Sequence, residues 1–287
     1  MFRPAFTLKI ENTRGQVFEL SNNTKNYIVT DVSGLTYPAS NINTSEGIAD
    51  GAYYNSQRLQ MRNIVITLRL RGDIEKNRQQ LYTIFLAKEK CTIYYQNKNR
   101  HVKIDGYVEI LEGSIFTNRE EIQISIICPQ PYFEGMTPIE TDLSTQAKFF
   151  EFPFAIEVGE PISLSEKRNS PFATIHNSGS AGCGCILTVS VLGTFKGLTI
   201  INVTTQEKFG IDFELQAGDV LTINSTTGKK SCSIRRLGHE INLLFYRKPY
   251  SHWITLASGD NIFTFRTEMG QDFAKIDISA VELYGGV

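Results

Sequence analysis

Apolar and polar residues alternate along most of this chain, and one segment alone switches to helical spacing. In residues 59–71, Ile64, Ile66, Leu68 and Leu70 share one face of an extended chain, while Val65, Thr67, Arg69 and Arg71 share the other. The same period recurs at Val102/Ile104, Val108/Ile110 and Ile122/Ile124/Ile126. Successive strand side chains point to opposite faces, so the pattern predicts antiparallel strands with one buried and one solvated side. Leu59 and Met61 fall in the opposite phase, which predicts a bulge near Arg62 and Asn63. Gly72 ends the run and Asp73 is placed to cap a helix over about 73–88, on which Ile74, Leu81, Ile84 and Phe85 recur at helical spacing. Glu75 near its positive end and Lys88 and Lys90 near its negative end suit the helix dipole. Runs 6–10 and 17–20 read as a hairpin with Gly15 in its turn, and 27–32, 91–95, 101–104, 107–111 and 120–127 read as further strands.

Pro129-Gln130-Pro131-Tyr132-Phe133-Glu134-Gly135 follows the last of these runs. Proline cannot donate to a ladder and holds its predecessor extended, so the strand ends there. The boundary divides the chain into domains 1–135 and 136–287, each of a size that buries its own core. The second half opens with the aromatic run 149–154. Short strands then follow at 173–176, 186–191, 198–202, 207–213, 219–224, 231–235, 243–246, 261–266 and 275–284, with turns at Gly193, Gly218, 227–228 and 258–260. Many short strands with turn punctuation and no helical period predict a β-sandwich or jelly roll. The expected class is therefore mainly β with one helix.

Residues 38–57 fit neither pattern. They are polar, carry Gly47 and Gly51, and hold the adjacent pair Tyr53 and Tyr54. A loop of this length inside a compact domain is functional or unstructured. Two readings stand: a structureless loop, or an arm that orders against a neighbouring subunit through its tyrosines.

A net charge of −1 excludes a cationic surplus of the kind a nucleic-acid binder needs. Five cysteines, an odd number, do not make a disulfide framework and read as reduced thiols. Residues 1–6 lack a signal-peptide core, and no run approaches the ~20 apolar residues of a membrane helix. Catalytic and metal chemistry find little support. Cys183-Gly184-Cys185 is spaced too tightly for a paired zinc motif and reads as a turn entering a strand. His101, His176, His239 and His252 are scattered, without a nucleophile elbow. Glu120 and Glu121 are adjacent on a strand and face opposite ways. The segment 193–197 lacks the helix a phosphate loop requires. No catalytic residue, cofactor or metal ligand is therefore assigned. Arg58, Arg62, Arg69 and Arg71 read either as a solvated strand face or as a subunit contact and channel lining.

Several of these pieces, in this order, resemble the distal tail protein family of siphophage-type tails. They are the run 58–72, the helix with Arg78, Leu81 and Phe85, and the 128–133 Cys-Pro-Gln-Pro-Tyr-Phe stretch; in the second half they are 220–229 and 253–265. The resemblance spans nearly the whole chain. It implies an N-terminal β-sandwich-like domain closing into a six-fold ring, and a C-terminal galectin-like β-sandwich outside it. It further implies a non-enzymatic structural hub of the virion tail or baseplate, assembled in the bacterial host cytoplasm. Its partners would be further copies of the chain in a hexameric ring, a tail tube protein, a tail-associated tip protein and a receptor-binding protein, with DNA only passing through and no membrane contact. Tyr53, Tyr54, Arg58 and Arg62 are the candidate subunit contacts. The rival expectation is a glycan-binding module at the tail tip, with Trp253, the single tryptophan, as its aromatic platform.

Overall fold

A computed structural model describes residues 6–21, 26–114, 120–143, 146–148, 165–167, 172–270 and 273–287. The aromatic run 149–154 lies outside the described residues. The chain forms two compact units, Met1–Met136 together with Leu283–Val287, and Thr137–Glu282.

The first unit contains β1 (Thr7–Asn12), β2 (Val17–Ser21), β3 (Tyr27–Ser33), β4 (Ser40–Glu46), β5 (Ala52–Leu59) and β6 (Arg62–Leu70). After them come α1 (Ile74–Ile84), β7 (Lys90–Gln96), β8 (His101–Gly113), β9 (Glu121–Cys128) and β10 (Phe133–Gly135). The main sheet runs β2-β1-β7-β8-β9-β6-β3, and β10 pairs with β8 and with the strand Leu283–Tyr284. Every pairing is antiparallel. One face is apolar, as the alternation requires: Ile64, Ile66, Leu68, Ile93, Ile122 and Ile124 are fully buried or nearly so. Leu81, Ile84 and Phe85 bring the helix into the same core. Each such side chain contributes about 1.5–3 kcal/mol of burial.

Three local expectations change. The helix stops at Ile84, short of 88. Asp73 caps it as expected, accepting from the Lys76 N–H at 3.2 Å. Phe85 leaves helical backbone and packs edge-on against Phe18, ring centroids 5.5 Å apart. Lys88 then takes a positive φ of 71°, and Lys90 enters β7 and pairs with Asp105 at 2.7 Å, away from the helix end. Packing of Phe85 thus overrides the charge pattern. Second, 101–104 and 107–111 form one strand, β8, which runs straight through Gly106. A Cβ there would lie 2.6 Å from Ile126 Cγ2 and 2.9 Å from Cys128 Sγ, so this glycine marks close packing inside one strand where two separate strands were expected. Third, the phase slip at 59–63 is a strand break at Gln60 and Met61, not a bulge. The register shifts lie elsewhere in the main sheet, between Val29 and Asp31 and between Val108 and Ile110.

The second unit contains β11 (Ile139–Leu143), β12 (Gln146–Lys148), β13 (Ser165–Lys167), β14 (Phe172–Asn177), β15 (Cys183–Val191), β16 (Phe195–Lys196), β17 (Thr199–Asn202) and β18 (Glu207–Gly210). It continues with β19 (Glu214–Leu215), β20 (Val220–Asn224), β21 (Ser231–Arg236), β22 (His239–Asn242), β23 (Thr255–Leu256), β24 (Gly259–Arg266) and β25 (Ala274–Ala280). One sheet runs β11-β25-β15-β20-β21-β22, with β23 beside β15; another runs β14-β24-β17-β18. Leu187, Val189, Leu221 and Ile276 on the first, and Ile200, Phe209, Phe263 and Phe265 on the second, are buried. Two antiparallel sheets, each with one apolar face, make the mainly β unit the sequence predicted. Two details differ. Leu244–Tyr246 is a single 3-10 turn where a strand was expected. The expected strand 275–284 ends at Ala280, and Leu283–Tyr284 pairs in the first unit.

Candidate functional site

The polar stretch 38–57 is neither core nor shapeless. β4 and β5 pair from Ser40↔Leu59 to Glu46↔Ala52 and form a two-stranded sheet of their own. The register shifts between Asn43 and Thr44. Residues 47–51 close the hairpin, with Gly51 at φ +100°. The Tyr53 ring lies over Gly47, where a Cβ would meet its Cε2 at 2.6 Å.

Both strands are exposed almost throughout. Tyr53 is 66% and Tyr54 61% exposed, and Ile42 and Ile48 are also open. Cross-strand partners share a face. Tyr54, opposite Thr44, therefore lies on the side of Ile42 and Gln57, while Tyr53, opposite Ser45, lies on the side of Arg58 and Asn41. The two tyrosines thus point to opposite faces of the arm. A lone two-stranded hairpin is marginal in water, and this one carries apolar side chains on both faces and, among the described residues, an unpaired edge on each strand.

Of the four predicted contact residues, Tyr53, Tyr54 and Arg58 sit together on β5 and are exposed. Arg62 does not join them: it is 2% exposed. Its Nε donates to Pro131 O at 3.0 Å, and Nη2 donates to Pro131 O at 2.8 Å and to Gly285 O at 2.6 Å. Nη1 donates to Thr36 O at 2.5 Å and also to Gly34 O. The Phe133 ring lies 4.5 Å from the guanidinium carbon. Burial pushes the Arg62 pKa down, and the neighbouring Cys128 acts in the opposite sense. Arg62 is thus an internal tie of the first unit, not a surface contact. The signal was in the alternation, since Arg62 shares the phase of Ile64, Ile66, Leu68 and Leu70.

Of the remaining basic residues of this region, Arg58 and Arg71 are exposed and make no ion pair among the described residues, while two others are paired. Arg69 pairs with Glu121 at 2.6 Å, and Arg78 bridges Glu120 at 3.3 Å and Glu75. Among the described residues no three His, Cys, Asp or Glu side chains gather into a metal site. Cys183 and Cys185 both point into the core from β15, and burial raises their thiols to about 11 and about 12. His176 Nδ1 lies 2.6 Å from Asp260 Oδ1, with both side chains mostly open to solvent. Trp253 packs on Phe209, centroids 5.1 Å apart, and is only partly exposed, a poor platform for stacking a sugar. No helix of the described residues is long and apolar enough to cross a membrane.

The chain is similar to known proteins in sequence over part of its length and in fold over nearly all of it. Residues 178–278 match the family model of the siphovirus-type tail component, C-terminal domain. Among solved structures, the chain is similar to the Dit protein (gp 19.1) of phage SPP1, described as a paradigm of the hub adsorption apparatus in phages infecting Gram-positive hosts. The TM-score is 0.66 at 12% identity, over 96% of this chain and 98% of that one. It is also similar to a chain of the phage P2 baseplate in its activated conformation with Ca, with a TM-score of 0.50 and 13% identity over 100% of both chains. The corresponding structure with Sr gives a TM-score of 0.50 and 13% identity, over 98% of this chain and 99% of that one. No curated protein matches the sequence. The family model thus meets the resemblance read from the motifs over residues 178–278, within the second unit, and the solved structures share the fold over nearly the whole chain.

Proposed function

We propose that this chain is a structural distal tail protein, the baseplate hub of a phage or phage-like tail. Copies close into a six-fold ring that joins the tail tube to the host-recognition tip. The observation that carries this reading is the end-to-end correspondence of fold with the SPP1 hub protein, in which each chain covers nearly all of the other. The exposed arm of β4 and β5 supplies a physical means. In a ring each arm is covered by the next copy, which removes two free strand edges and buries Ile42, Ile48, Tyr53 and Tyr54. The role is one of geometry, without turnover. Tube protein, tip protein and receptor-binding protein are its proposed neighbours, and the tail of the virion is its location. Arg69 and Arg78 are held in ion pairs, and a net charge of −1 leaves little cationic surplus to hold passing DNA. Glycan binding is the weaker reading, because the lone tryptophan is engaged with Phe209.

Negative-stain microscopy of the purified chain tests the proposal. Rings with a central hole and six-fold averages are expected; fields of isolated single molecules at micromolar concentration would refute it.

A further inference from the structure

Arg62 stands where the two ends of the arm meet. Gly34 and Thr36 lie just before β4, and Arg62 opens β6 just after β5. A guanidinium has five N–H donors in a rigid plane. Here every one is used, on four backbone carbonyls: Gly34 and Thr36 from the incoming end of the arm, Pro131 from the exit of β9, and Gly285 from the closing segment. Among the described residues no carboxylate pairs with this buried cation. Carbonyl dipoles and the Phe133 ring offset its charge.

The surroundings allow little slack. Gly34 has φ +81°, and a Cβ on it would stand 2.0 Å from Asn63 O, so the incoming end lies directly against β6. The next rung is the Gln60 N–H to Ala39 O bond at 2.9 Å. From the other side, the Val287 N–H donates to Leu35 O at 3.1 Å, and the Tyr37 ring covers Gly285 closely enough to exclude a Cβ. Tyr284 is held by the pairing with Phe133 and by Arg100, 4.2 Å from its ring centroid.

We propose that Arg62 is the lock at the root of the arm, and that residues 285–287 supply its last ligand, so that the arm is set for docking only when the closing segment is in place. This rests on the ring reading for its consequence, but not for its geometry. Losing the Gly285 carbonyl strips an acceptor from a buried cation and releases the Leu35 carbonyl, and the anchor common to both ends of the arm is weakened.

The test is native-state hydrogen exchange on the full chain, on the chain lacking residues 285–287, and on Arg62→Lys, at a dilution where all three have the same mass. Exchange at the Gln60 amide should quicken about tenfold or more in both variants, while Ile93 in β7 and Leu221 in β20 keep their protection. An unchanged Gln60, or an equal rise at all three amides, overturns the lock. Sedimentation then reads the consequence. Under conditions where the full chain is a ring, the truncated chain should run smaller, and a truncated chain of full ring mass overturns the dependence of docking on the lock. A full chain that is itself monomeric sinks the ring reading, while the Gln60 amide still decides the lock.

Discussion

At the scale of single residues, the buried polar groups are where charge and chemistry matter. Asp219 is nearly inaccessible and accepts from Arg236 at 2.9 and 2.7 Å and from the Gln216 N–H at 2.7 Å. Burial opposes its charge, but these donors outweigh burial and hold its carboxyl below the usual range. A depressed folded value stabilises the protein above the unfolded value of about 3.9, and that stability is lost as pH falls through the lower folded value. Urea unfolding followed by Trp253 fluorescence should therefore show the second unit weakening below about pH 4. Asp219→Asn should cost about 2 kcal/mol at neutral pH and flatten this acid slope; an acid slope identical to that of the wild type would contradict the assignment. The cysteines make a second case. All five are buried, and burial raises Cys91, Cys128, Cys185 and Cys232 to about 12. A thiol reagent at mildly alkaline pH should label none of them in the native chain and all of them after unfolding. One rapidly labelled native thiol would show that the core is open. Alternation exposed the apolar core positions in the sequence. The place of Arg62 was half legible, through its phase. Its ligands were not, because they are backbone carbonyls 26, 28, 69 and 223 residues away, and a carbonyl carries no mark in the sequence.

At the scale of elements, period predicted the type of structure better than its ends. β6 and β9 are alternating runs that pair with each other from Arg62↔Cys128 to Arg69↔Glu121. The helix begins where its cap was read, and Asp73→Ala should cost about 1 kcal/mol in stability. It ends early because Phe85 is drawn into the core, a tertiary effect that local charge cannot reveal. The arm was visible only as a stretch without period. Hairpins that bury neither face have no apolar alternation to show, so β4 and β5 left no signal beyond Gly47, Gly51 and the two tyrosines. The structure now separates those tyrosines onto opposite faces, which makes their substitution informative. Tyr54→Ala and Tyr53→Ala should each weaken self-association about tenfold or more, with the melting temperature of the dissociated chain nearly unchanged. Replacing residues 40–59 by a short turn should abolish association and leave the far-ultraviolet spectrum of the remaining sheets intact. Undiminished association in that variant would remove the arm from the account.

At the scale of the molecule, the chain leaves its first unit after Met136, builds the second, and returns at Leu283. The returning strand pairs at two residues, Leu283 with Glu134 and Tyr284 with Phe133, and two residues cannot display a period. The proline-flanked segment 129–135 carries its own stereochemistry in the sequence, whereas the returning strand carries no such mark. The central claim is that the arm of one copy is covered by the next until a ring closes. The most direct measurement is the mass of the purified full chain by light scattering across a dilution series. The account predicts a plateau at six times the mass of one chain; a single-chain mass at every concentration would contradict it.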